Sequence, residues 1–207
     1  STKGLHGKEL TKSVTCSEPY EWFEIYNKNK KNSLKEKTLP KLKVAAIDYG
    51  AKETIFKCLK KFEVELNIFP ATVSVEAILQ SQPDGIFLSN GPGDPEATFN
   101  KFGRVIKDIV LKTKIPIFGI CLGHQLLGLA LGADTKKMPY GHHGANHPVK
   151  DILTGKVEIT SMNHGFAING RTLPTGVRET HISLFDGSNF GIAVPERNLF
   201  GVQYHPE

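Results

Sequence analysis

Between Ile115 and Leu131 the chain passes from strand to helix with no loop between them, and few folds accommodate that. Ile115, Ile117, Phe118 and Ile120 form an apolar run of strand character, while residues 122–131 carry helical spacing. The corner falls on Cys121. Gly119 and Gly123 flank it as G-x-C-x-G, small residues that let the backbone turn sharply and lift one side chain above the end of a sheet. The free N–H groups and dipole at the start of a helix favour a negative sulfur and can also hold an oxyanion. By itself Cys121 reads equally well as a small core residue.

The surrounding pattern says what sheet the corner belongs to. Strand and helix alternate: strands over residues 44–48, 64–69 and 85–89, helices over 52–61, 73–80 and 99–111. This alternation predicts an α/β fold, an open and mainly parallel sheet with helices on both faces and a nucleophile elbow. From Lys156 the segments shorten to strands over 157–161, 179–184 and 191–194 with turns at Asn169-Gly170 and Asp186-Gly187, a small antiparallel extension. Residues 199–204 alternate as a strand that ends at His205. Residues i and i+2 of an extended segment project the same way, so Glu207 can hold one imidazole nitrogen while the other faces a sulfur. His124, three residues from Cys121, is too close along the chain to bring its ring comfortably to the thiol.

Two further stretches attract attention. The loop S-N-G-P-G-D-P after Leu88 lies at the carboxyl end of a strand, where open α/β sheets place ligands, although Gly-Pro and Asp-Pro also mark plain turns. Gln125 follows Cys121 by one helical turn on the same face. Residues 141–147 hold His142, His143 and His147 in what reads as a loop, but neither cysteine nor carboxylate completes a ligand set there, so no metal is expected. No G-x-G-x-x-G follows the first strand and no P-loop occurs, so the chain itself offers no nucleotide or other cofactor site.

G-I-C-L-G-H-Q, G-V-Q-Y-H-P-E and S-N-G-P-G-D-P together resemble the class I (triad) glutamine amidotransferases. G-H-H-G-A-N-H-P-V, S-M-N-H-G-F-A and S-L-F-D-G, with a leader over residues 4–22, resemble more closely the small subunits of carbamoyl-phosphate synthetases. The resemblance covers nearly the whole chain and implies a catalytic triad of Cys121, His205 and Glu207. It implies an oxyanion hole from the N–H groups of Gly93 and Leu122, and glutamine contacts at Gly91, Gln125, Asn163, Gly165 and Phe166. It further implies L-glutamine as substrate and a large synthetase subunit as partner, which would use ATP, bicarbonate and the delivered ammonia in pyrimidine and arginine synthesis. The amidotransferase portion of anthranilate, GMP or CTP synthesis shares the elbow and triad and stands as an alternative. A regulatory module with a silent triad and a cysteine hydrolase acting on peptides are the readings from other classes.

Composition narrows the setting. At 207 residues one main domain is expected, over residues 41–207, preceded by a leader and polar linker over 1–40 from an N-terminal domain that is missing. That domain holds a serine of the glutamine site in the family. A short helix is expected over residues 17–26, and the domain is expected to be truncated at its C-terminus. The net charge of +5 owes much to lysines at positions 28–43, a local cluster with no interleaved aromatics, so nucleic acid is not the expected partner. No apolar run approaches the ~20 residues that cross a bilayer. Cys16, Cys58 and Cys121 form neither a metal spacing nor an even disulfide set, which fits a reducing, cytoplasmic setting.

Overall fold

The computed structural model describes residues 4–22 and 41–207. One ten-stranded sheet runs through it, in the order β1-β3-β2-β4-β5-β10-β9-β8-β6-β7. The central strands β2 (Lys43–Asp48), β3 (Glu65–Pro70), β4 (Gly85–Leu88), β5 (Ile117–Ile120) and β10 (Leu199–Val202) pair in parallel, as the strand–helix alternation requires. Alternation along β2 sorts its side chains to two layers. Ala45 and Ile47 meet α2 (Val75–Gln80), α3 (Pro95–Lys112) and α4 (Leu122–Leu131), while Ala46 faces α1 (Glu53–Lys60) and Trp22. Helices thus cover both faces. Each fully buried Ile, Leu or Phe in these layers contributes about 1.5–3 kcal/mol of transfer free energy.

Capping explains where the long helices start and stop. Asp94 caps α3 by accepting from Glu96 N at 2.9 Å, with Pro95 in the first turn. Gly132, at φ 102°, ends α4 in the left-handed conformation, and Ala133 N returns to Gly128 O at 3.0 Å.

The other half is antiparallel: β6 (Thr135–Asp151), β7 (Val157–Ile168), β8 (Arg178–Ser183) and β9 (Asn189–Val194). Here the sequence expectations need correction. Residues 141–147, read as a loop, lie inside the 17-residue strand β6, whose prolines and glycines fit because its pairing with β7 breaks register on both sides of residues 142–144. Strand β7 does not end at Ser161 but runs on through Asn163, Gly165 and Phe166. The helix expected over 17–26 is also absent from its described part, where Tyr20–Glu21 forms β1 and pairs antiparallel with β3. Residues 23–26 and the expected linker from residue 27 to 40 fall outside the described residues.

Residues 4–22 do not stand off the surface. Thr11 and Trp22 are buried, Thr15 Oγ1 donates to Asp48 O at 2.6 Å, and Asp94 Oδ2 accepts from Gly7 N at 2.7 Å. The leader is woven along the carboxyl ends of the parallel strands, against the loop that follows β4.

Candidate active site

Cys121 occupies the corner between β5 and α4 at φ 54°, ψ −106°, a conformation that non-glycine residues adopt only when their surroundings compel it. The surroundings do. A Cβ on Gly119 would lie 2.6 Å from the backbone of Gly123, and one on Gly123 would lie 2.1 Å from Leu88 O. Both glycines are therefore required by contact with main chain that cannot yield. Cys121 N donates to Val202 O at 2.9 Å, which ties the elbow to β10 and hence to the strand that leads to His205.

His205 follows β10 and is held from the far side, where its N–H donates to Ser161 O of β7 at 3.0 Å. Its Nδ1 lies 2.9 Å from Glu207 Oε1, and both side chains are nearly buried, at 4% and 6% exposure. The i, i+2 geometry expected from the sequence is thus realised. Burial alone would lower the His205 pKa, but hydrogen bonding and charge from Cys121 and Glu207 outweigh it and raise it to about 9. Burial likewise works to raise Glu207, yet its bond to His205 and the nearby Lys52 cation hold it below the usual range. At neutral pH the site therefore carries an imidazolium next to the sulfur, poised to give up a proton.

A cleft of about 320 Å³ opens above the elbow and brings together Cys121, His205, Gly91, Gly93 and Gln125 from the parallel half with Asn163, Gly165 and Phe166 from β7. Leu122 is buried at the first position of α4. Among the described residues no acceptor takes the backbone N–H of Gly93 or of Leu122, so both remain available to an oxyanion. The glycines of the loop after β4 bring bare backbone close, as a Cβ on Gly91 would sit 2.1 Å from Tyr49 O, and Gly93 adopts φ +104° with Lys8 O beside it. Gln125 turns both observed bonds inward, from Nε2 to Phe166 O at 2.7 Å and to Gln203 Oε1 at 2.9 Å. The Cys121 thiol makes one long contact, 4.0 Å, to Asn163 O.

Sequence reasoning missed Lys52. Its Nζ lies 3.4 Å from His205 Nδ1 and 3.4 Å from Glu207 Oε1. It follows the carboxyl end of β2, the place where ligands gather in such sheets, and that position was the available signal. Leu5 and His143 also line the cleft. His124, set aside as a base, is fully buried, and burial, with the charge of His164, lowers its pKa to about 3. Among the described residues no cluster of His, Cys, Asp or Glu could hold a metal ion.

Comparison with known proteins places this geometry. A carbamoyl phosphate synthase small chain of Ruegeria pomeroyi is 55% identical over 204 residues, covering 99% of this chain and 52% of that protein. Another, from Mesorhizobium japonicum, is 56% identical over 207 residues, 99% of this chain and 51% of that one. The chain spans about half the length of these curated relatives. In solved structures, a glutamine amidotransferase from Thermotoga maritima superposes with a TM-score of 0.63 at 19% identity, over 79% of this chain and 75% of that one, which shows the shared fold. The family profile "Glutamine amidotransferase class-I" matches residues 45–207, so the chain belongs to the class-I glutamine amidotransferases.

Proposed function

We propose that this chain hydrolyses L-glutamine to glutamate and ammonia through a thioester on Cys121, and that it does so as the small chain of a carbamoyl phosphate synthase. The observation that supports the chemistry is one cleft in which a strained elbow cysteine meets a histidine whose pKa is raised and whose Nδ1 is held by a buried carboxylate. In the first step the Cys121 thiolate attacks the side-chain amide carbon of glutamine, and the carbonyl oxygen gains charge toward the N–H groups of Gly93 and Leu122. Removing one such donor typically costs about 3 kcal/mol of barrier. As the C–N bond breaks, the His205 imidazolium gives its proton to the departing nitrogen, which leaves as ammonia. Water then attacks the thioester carbonyl, His205 takes its proton, and the C–S bond breaks to restore thiolate and imidazolium with glutamic acid released. Glu207 orients the ring throughout.

The identity of the relatives supports the rest of the reading: a large synthetase subunit as partner, to which ammonia passes and where ATP is consumed. This chain then needs no cofactor of its own. No helix among the described residues is long and apolar enough to cross a membrane. The three cysteines are free, which suits the cytoplasm. The test is covalent. A glutamine-like chloroketone should label Cys121, and a Cys121→Ala variant should form no thioester with labelled glutamine and lose at least about 10⁴-fold in glutaminase rate. Undiminished acylation of that variant would remove the nucleophile from the reading.

A further inference from the structure

The histidine-rich run at residues 141–147 has no part in the triad, yet it packs directly behind the cleft. Register pairs His143 with Asn163 and His142 with His164 across β6 and β7, and the breaks in pairing on either side isolate this patch. Across the pair, His143 Nδ1 lies 2.8 Å from Asn163 Oδ1. An amide oxygen only accepts, so Nδ1 carries the proton and donates. This bond fixes which way the Asn163 amide faces. Its Nδ2 is left with no protein partner among the described residues, at the wall of the cleft that both side chains line. The histidine is itself held: His147 Nε2 donates to His143 O at 3.3 Å, and a Cβ on Gly141 would come within 2.6 Å of His143 Nε2.

We infer that His143 is a positioning residue for substrate, locking the Asn163 amide so that Nδ2 presents a donor to a carboxylate of the amino-acid ligand. The inference rests on the glutaminase reading and assigns that site one further residue. An unlocked amide spends part of its time with oxygen toward the ligand, where it repels a carboxylate, so affinity falls while the reacting atoms are untouched. Nδ1 donates in the neutral tautomer and in the imidazolium alike, so the lock holds across neutral pH.

The test is steady-state glutamine hydrolysis by the chain in complex with its synthetase subunit. His143→Ala should raise KM for glutamine about five- to tenfold, equally at pH 6.5 and pH 8, with kcat within about twofold. His143→Asn, whose Nδ2 stands where Nδ1 does, should recover most of that loss, and His143→Ala should add nothing in an Asn163→Ala background. An unchanged KM in His143→Ala, or a fall in kcat together with melting temperature, would overturn the inference while leaving the glutaminase reading intact. An unsubstituted complex that neither turns over glutamine nor forms a Cys121 thioester would overturn both.

Discussion

The two halves of the sheet build their shares of the cleft differently. The parallel half supplies Cys121, Gly93 and Leu122, the nucleophile and oxyanion donors of the proposed reaction, from backbone so tightly apposed that no side chain could enter: a Cβ on Gly91 or on Gly123 would lie 2.1 Å from a main-chain oxygen. The antiparallel half supplies Asn163, Gly165 and Phe166 from β7, which faces a strand interrupted by two breaks in pairing. Behind it His142, His147 and His164 are buried with one ring nitrogen each unpartnered. Covalent chemistry tolerates little misplacement of the reacting atoms, and the proposed reaction places it where backbone contacts leave least freedom. The same proposal gives recognition of the ligand's other end to the side whose strands pair irregularly.

The contrast is broken most severely by adding one methyl to each half. Gly123→Ala drives a Cβ into Leu88 O and its carbonyl carbon, both main chain, and should cost about 3 kcal/mol or more in urea denaturation. Gly165→Ala meets only Lys137 Nζ, at 3.7 Å, and should stay within about 0.5 kcal/mol of the parent. Equal losses at the two positions would erase the distinction between a rigid and a yielding half.

Acid should act first where histidines are buried neutral, in β6 and β7 and at His124 of α4. Burial lowers the pKa of His164 from 6.5 to about 4, and it lowers that of His142 against the attraction of Asp186, which lies 3.2 Å from His142 Nε2. A histidine kept neutral by the fold contributes stability that is complete above its unfolded value of 6.5 and is lost as pH falls toward its folded value, by up to about 1.4 kcal/mol per pH unit. Hydrogen exchange, corrected for its intrinsic pH dependence, should therefore show β6, β7 and α4, which carries the buried His124, losing protection between pH 6.5 and 4, ahead of β2 and β3, which hold no histidine. Simultaneous loss in all four strands would mean that the halves open as one unit.

The same division decided what could be read from sequence. Strands and helices of the parallel half carry clean periods and sharp corners, and the elbow at Cys121 needs its glycines for reasons a sequence displays. The pairing of His205 with Glu207 follows from the two-residue repeat of an extended chain. Strand β6 was illegible because Pro139, Gly141, Gly144 and Pro148 are loop signals, and only the irregular pairing with β7 makes them tolerable inside a strand. Strand β1 has two residues and owes its existence to the edge of β3, which no local pattern reveals. Lys52 was missed for a further reason: its partners lie 153 and 155 positions away, so only its place after the carboxyl end of β2 could have pointed to it.

Lys52 also offers the finest test of the comparison, because it belongs to the parallel half and, while it lines the cleft, sets its ammonium against His205 and Glu207. Asp48 Oδ1 gathers the N–H groups of Gly50 and Ala51 at 2.9 and 2.8 Å, and Lys52 N donates to Asn90 Oδ1 at 3.1 Å, which fixes where its side chain begins. The ammonium beside His205 opposes an imidazolium, so in Lys52→Met the ring should hold its proton to higher pH. The alkaline limb of kcat/KM, set by deprotonation of His205 near 9, should then move upward. With the lysine side chain 49% exposed, solvent screens the effect, and a shift of about a few tenths of a pH unit is expected. His143→Ala should change KM and leave that limb in place, whereas Lys52→Met should move the limb and leave KM in place. A raised KM with an unmoved limb in Lys52→Met would assign the lysine to ligand binding, and the line between chemistry and recognition would no longer follow the two halves of the sheet.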